Sequence, residues 1–195
     1  IPVTRISDLT PLDRIGVPVF CAVTPLARDL TTHLGKGRDA ISARVSALME
    51  AVERVSAETT ALPVMRGSFE GLVRLHGSAG VADPRRFDLP GDTAFAADRE
   101  FSWLEGVDLL SGMSVLIPAD LLLSPPSEGI LRDVDTNGLA SGNTLLEAIV
   151  HALCESIERD AIGQILFRSL FADPVGPLLP EVDPDTLPPT VRDWE

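Results

Sequence analysis

The sequence predicts an α/β protein, a mixed sheet with packed helices, on three observations. Residues 39–58 and 144–170 carry helical periodicity, and several short β-branched and aromatic runs bounded by Gly and Pro read as strands. The composition is globular, 45% hydrophobic and 23% charged over 195 residues. A chain of this length can enclose a full core without staples.

The first strand is expected over residues 16–24 (GVPVFCAVT), with Pro18 tolerable at its start or on an edge. A polar stretch containing Gly35 and Gly37 follows. The first helix then starts at Asp39, a cap or first-turn acid, and Pro63 is a stop signal beyond it. Residues 62–75 and 101–118 read as short strands and turns, with the Gly-, Asp- and Pro-rich segment 77–91 as the loop between them. The second helix has a candidate interruption at Gly163. Prolines crowd the sequence after Asp173 and exclude regular helix or central strand there, so 176–195 reads as a Pro-rich linker or continuation.

The formal net charge of −13 repels phosphate backbones and anionic lipid, which argues against nucleic acid or a membrane surface as the main partner. No cationic stretch precedes an apolar one at the start, and no apolar run approaches the roughly 18 residues of a membrane span. The two cysteines, Cys21 and Cys154, lie far apart and both read as core, so a reducing, cytoplasmic setting is expected. Of 16 basic residues only one is Lys, Lys36 in Gly35-Lys36-Gly37. Such a site suits a compact ammonium beside flexible backbone, which guanidinium replaces poorly.

The two helical segments are related to each other. A shift of 105 residues superposes Gly37 on Gly142, Ala43 on Ala148, Ala47 on Ala152 and Leu48 on Leu153. Glu50, Glu53 and Arg54 then fall on Glu155, Glu158 and Arg159, so a Glu-x-x-Glu-Arg pattern recurs in register. A duplicated unit is the preferred reading.

On the first helix, Ile41, Val45, Leu48, Val52 and Val55 form an apolar stripe opposite Ala43, Ser46, Ala47, Glu50, Glu53 and Arg54. On the second, Leu146, Val150, Leu153 and Ile157 oppose Glu147, His151, Glu155 and Glu158. Both helices are expected to pack by these apolar stripes against strands, including residues 16–24 and 114–118. A solvated helix face would intersperse cations, whereas Glu50 with Glu53, and Glu155 with Glu158, set like charges one turn apart. Five carboxylates on related helices favour a hard divalent cation, Mg²⁺ or Ca²⁺, and Mg²⁺ leaves positions for phosphate oxygens. Lys36 with Arg159 or Arg54 would meet the phosphates, and Asn143 would serve as N-cap, phosphate contact or both. No Walker or kinase glycine loop is present, and no EF-hand loop. His33 and His76 receive no role.

Taken together, Gly35-Lys36-Gly37, the run Ser46-Ala47-Leu48-x-Glu50-Ala51-x-Glu53-Arg54, Trp103-x-x-Gly106-x-Asp108, and above all the run from Asn137 through Gly142-Asn143-Thr144-x-x-Glu147 to Cys154-Glu155-x-x-Glu158-Arg159-Asp160 resemble the YcaO family. The resemblance spans roughly residues 14–170. It implies that residues 1–175 are the N-terminal portion of a YcaO-like ATP-binding domain. It further implies an enzyme that uses ATP and Mg²⁺ to activate backbone amides of a ribosomally made precursor peptide. A Cys, Ser or Thr nucleophile of the peptide then gives an azoline, and external sulfide a thioamide. Carried over by position, Glu50, Glu53, Glu147, Glu155 and Glu158 bind Mg²⁺, Asn143 and Arg159 contact phosphates, Ser46 lies near the nucleotide, and Lys36 matches the GKG segment. A complete domain of the family is longer than this chain. Its members often work with an E1-like or TfuA-like partner protein, and self-association stays open. Two other readings remain: a non-catalytic ATP- or metal-binding accessory factor for an enzyme such as a methylthiotransferase, and an α/β interaction module whose acids face solvent.

Overall fold

Three antiparallel strands, β1 (Arg5–Asp8), β2 (Val19–Val23) and β3 (Thr32–Lys36), form one sheet in that order, and helix α1 (Ala40–Ser56) packs on β2 and β3. A second antiparallel sheet follows in the order β4 (Met65–Ser68), β5 (Glu100–Val107), β6 (Ser114–Pro118), with helix α2 (Phe69–His76) leading directly out of β4. Helix α3 (Leu145–Phe171) closes the sequence of long elements. This structure is a computed structural model and describes residues 2–58, 61–87, 89–131, 136–171 and 183–186. The α/β class is as expected, with the strands divided between two antiparallel sheets. The expected Pro-rich segment 176–195 lies outside the described residues except for 183–186, where Pro184–Thr186 is a single 3-10 turn.

The first sheet and α1 meet through small residues. Ala43, Ala47 and Ala51 are buried against Phe20, Ala22 and Ile6. Gly35 permits this approach, since a Cβ there would lie 2.0 Å from the Ala47 amide nitrogen. The aliphatic stripe expected to be the packing face is therefore the outer one, with Ile41, Val45 and Val52 more than half exposed. A side chain as large as Val or Ile could not enter the narrow gap over Gly35. Strand β3 escapes the sequence pattern for a related reason: its inward residues are His33 and Gly35, neither of which reads as apolar. Strand β1 is too short and polar to register. Asp39 is the helix cap, with its carboxylate accepting from the Ser42 N–H at 2.8 Å and the Ser42 hydroxyl accepting from the Asp39 N–H, a capping box.

The second sheet is organised around Trp103, fully buried, whose indole N–H donates to the Gly67 carbonyl at 2.9 Å. Leu72, Val81 and Leu116 pack with it, and Phe69, Phe95 and Phe101 extend the aromatic cluster. Two polar ties join the halves. Ser124 donates from its hydroxyl to Asp29 at 2.7 Å and from its backbone to the Ala57 carbonyl, while Asp29 also lies 3.6 Å from Arg54. Asp120, itself buried, gathers the backbone N–H groups of Ser127, Glu128 and Ile130 and so shapes the turn after β6.

Helix α3 runs unbroken through Gly163 and buries none of its residues among the described ones. Its expected packing against the strands is not what the structure shows: Leu146, Val150, Leu153 and Ile157 are all exposed, and β6 is paired with β5 instead. Cys154, expected in the core, is exposed on this helix; Cys21 is half-buried in β2.

Candidate functional site

The junction between α1 and the start of α3 gathers the acidic chemistry. Glu50 and Glu53 project from α1 one turn apart. Glu53 is half-buried, and its carboxylate oxygen Oε2 accepts from the Ser141 backbone N–H at 2.9 Å and from the Ser141 hydroxyl at 3.2 Å. Burial first, and the negative Glu50 second, raise the Glu53 pKa above the ordinary carboxyl value; the Ser141 hydrogen bonds and His151 pull the other way. His151 of α3 reaches back to this point, its Nδ1 donating to the Ser141 carbonyl at 3.3 Å.

On the α3 side, Thr144 is the capping residue, its hydroxyl accepting from the Glu147 N–H at 3.2 Å. This corrects the expected cap at Asn143. Freed from capping, Asn143 points its backbone N–H and side-chain amide at the Glu147 carboxylate, at 2.9 Å and 3.0 Å. The start of each helix is built alike at the 105-residue offset. Ala43 N–H donates to the Asp39 carbonyl at 3.0 Å and Ala148 N–H to the Thr144 carbonyl at 3.1 Å. A Cβ on Gly37 would lie 2.6 Å from Ala43 N, and one on Gly142 2.5 Å from Ala148 N. The Glu-Arg pairs recur too, with Arg54 3.3 Å from Glu50 and Arg159 2.6 Å from Glu155.

The remaining expected site residues stand further out. Glu155 and Arg159 engage each other further along α3, beyond its second turn, and Glu158 is exposed beside them. Ser46 is half-buried one turn before Glu50, and Lys36 is exposed at the end of β3, opposite Val19 of β2. Arg54 is committed to Glu50 and Asp29. Among the described residues no group of three or more His, Cys, Asp or Glu side chains converges into a ready-made metal cage. Mg²⁺ does not need one, because it takes one or two carboxylates and completes its shell with water and phosphate oxygens. Two like charges held together at Glu50 and Glu53, one of them destabilised as an anion, fit such an ion.

Beside Glu53 lies a cleft of about 540 Å³. Its wall is apolar at Met49, Val52, Leu62 and Leu104, and polar at Ser141 and Asn143. His151 was expected on the acidic face of the second helix, without a role of its own, and Ser141 is the residue here that the sequence did not single out. Ser141 stood inside the Asn137–Thr144 run, but nothing local says that its partner lies 88 residues away.

A YcaO family model, described as a cyclodehydratase that binds ATP and Mg²⁺, matches residues 34–194. The chain belongs to the YcaO family. A protein of Methanothermobacter thermautotrophicus is 41% identical over 167 residues, covering 83% of this chain and 42% of that protein. One from Rhizobium leguminosarum bv. trifolii, encoded in the tfuA 3′ region, is 37% identical over 169 residues, covering 82% and 38%. The YcaO structure from Methanopyrus kandleri, bound with AMPPCP and Mg²⁺, superposes with a TM-score of 0.64 at 30% identity, over 85% of this chain and 40% of that one. The chain thus spans about two-fifths of the length of the YcaO relatives it matches.

Proposed function

We propose that the protein containing this YcaO chain uses ATP and Mg²⁺ to activate backbone amides of a ribosomally made precursor peptide. The observation that carries the reading is the α1–α3 junction inside the segment matched by the family, where Ser141 ties Glu53 of α1 to the start of α3 and the neighbouring Asn143 meets the Glu147 carboxylate. Glu50, Glu53 and Glu147, with Glu155 and Glu158 further along α3, would hold Mg²⁺. Asn143 and Arg159 would meet the phosphates, with Lys36 and Ser46 at the margin of the nucleotide. When bound, Mg²⁺ screens the phosphate charge and polarises the transferred phosphoryl group.

The chain's own residues supply position and charge. The Asn143 amide and the start of α3 offer N–H donors to a phosphate, and Arg159 can turn from Glu155 to a stronger anion. In the proposed reaction a peptide nucleophile adds to the amide carbon, the amide oxygen takes the γ-phosphoryl group as ADP leaves, and phosphate departs. A Cys, Ser or Thr nucleophile closes an azoline; sulfide yields a thioamide. The neighbourhood of tfuA in the Rhizobium relative supports a TfuA-like partner over an E1-like one. No described helix is long and apolar enough to cross a membrane.

The test is ADP release by the full-length protein, with its partner and a precursor peptide encoded beside it. Peptide-dependent turnover that Glu155→Gln or Glu158→Gln abolishes is the expected result. Nucleotide binding without peptide-dependent turnover would point to an accessory role, and no binding of Mg·ATP would overturn both.

A further inference from the structure

Resting on the nucleotide reading above, we infer that Ser141 is a positioning residue: it clamps the Glu53 carboxylate of α1 to the start of α3 and so sets the oxygen presented to a cation. Every polar group of Ser141 is engaged. Its N–H and hydroxyl both reach Oε2 of Glu53, at 2.9 Å and 3.2 Å, and the hydroxyl also lies 3.4 Å from the Met49 carbonyl. Its carbonyl accepts from His151 Nδ1 at 3.3 Å. Ser141 is thus tied to α1 by two groups and to α3 by the third.

The backbone around it is built to hold this pose. A Cβ on Gly142 would lie 2.5 Å from Ala148 N and 3.0 Å from Glu147 Cβ, so the chain lies flush against the first turn of α3. That contact aims the Ser141 N–H away from α3 and toward α1. Two donors on one oxygen fix the plane of a carboxylate that would otherwise rotate freely. They leave Oε1 of Glu53 without a hydrogen bond among the described residues. Two charge-assisted bonds also favour the ionised carboxylate against its burial and the Glu50 charge. Groups that orient a metal-binding carboxylate typically contribute about 10–100-fold to metal affinity.

The second consequence concerns the two helices as a frame. Glu50 and Glu53 belong to α1, Asn143 and Glu147 to the start of α3, and the Ser141 clamp holds these sets at a fixed separation. Losing the hydroxyl removes one of the two bonds to Oε2 and the contact with Met49, while the backbone N–H remains. The effect should therefore fall on cation affinity before it falls on folding.

The test uses the full-length protein and a fluorescent, non-hydrolysable ATP analogue, with Mg²⁺ titrated at fixed nucleotide. Ser141→Ala is expected to raise the Mg²⁺ concentration for half-saturation about tenfold or more. Its ligand-free melting temperature should stay within about 3 °C of wild type. Ser141→Thr, which keeps the hydroxyl, should restore the Mg²⁺ response to within about threefold. An unchanged Mg²⁺ midpoint in Ser141→Ala overturns the inference and leaves the nucleotide reading standing. So does a weakened midpoint in both variants that tracks a large loss of melting temperature, because the residue would then act on folding alone. Wild-type protein that binds no Mg·nucleotide removes the nucleotide reading itself.

Discussion

Glu53 is under opposing demands. Burial and the adjacent Glu50 raise its pKa, so in the linkage sense its contribution to stability is present below the ordinary carboxyl value of 4.5 and is lost as pH rises through the raised one. At neutral pH and without a cation, the ionised side chain is a cost. Glu53→Gln should therefore melt higher than wild type at pH 7 in chelator, with the gain vanishing near pH ~4. The same variant should lose Mg²⁺-dependent nucleotide binding by about tenfold or more. A variant that melts lower at pH 7 would contradict this account. His33 shows the reverse sign. Buried completely, with Nε2 2.7 Å from the Thr24 hydroxyl and Nδ1 without a partner, it has a pKa lowered by burial. Glu50 and Arg54 from α1, Glu58 just beyond it and Asp29 from the β2–β3 connection surround it electrostatically. Its stabilising contribution is present above about pH 6.5 and is lost as pH falls through the lowered value. Denaturant midpoints measured from pH 7 to pH 5 should drop for wild type and drop less for His33→Gln. At this scale the sequence shows like charges one turn apart, although in the structure Glu50 and Glu155 are each also paired with the arginine one turn on. Ser141 was not legible, because a serine beside a glycine carries no signal of which distant carboxylate it meets.

At the scale of elements, the contact between α1 and β3 turns on Gly35. Placing a methyl 2.0 Å from Ala47 N and 2.5 Å from the Ala43 carbonyl would push α1 off the sheet. Gly35→Ala is expected to cost about 3 kcal/mol, read as a fall in urea midpoint with unchanged slope. Since α1 carries Glu50 and Glu53, the same change should weaken Mg·nucleotide binding as well. The helices themselves were visible in the sequence from their period and caps, and α1 begins where Asp39 placed it. Their buried face was not, because periodicity reports where large apolar residues lie, whereas close packing over a glycine selects alanine. Strand β3 was hidden by the same contact, since the residues it turns inward are a histidine and a glycine.

For the whole molecule, the notable feature is a 27-residue helix with Leu153, Ile157, Leu166, Phe167 and Phe171 exposed. Such a surface binds hydrophobic dyes. In the 195-residue chain, Leu153→Ser combined with Ile157→Ser and Leu166→Ser should measurably lower binding of an anilinonaphthalene dye, because these side chains are part of that exposed apolar surface. The cooperative unfolding of the sheets should move by less than about 1 kcal/mol, since none of the three is buried. A collapse of that transition would show that α3 packs more tightly than its exposure implies. In the full-length protein, Mg·ATP at about 100 times its dissociation constant should add roughly 2.7 kcal/mol to stability, visible as a higher melting temperature.

The α/β class, the positions of both long helices and the family follow from the sequence alone, because each is carried by local period, cap chemistry or a contiguous motif. Tertiary structure decided which face of α1 is buried and which serine restrains Glu53. Those outcomes depend on the fit between segments as far as 88 residues apart, and on gaps too narrow for the side chains that a hydrophobic pattern favours.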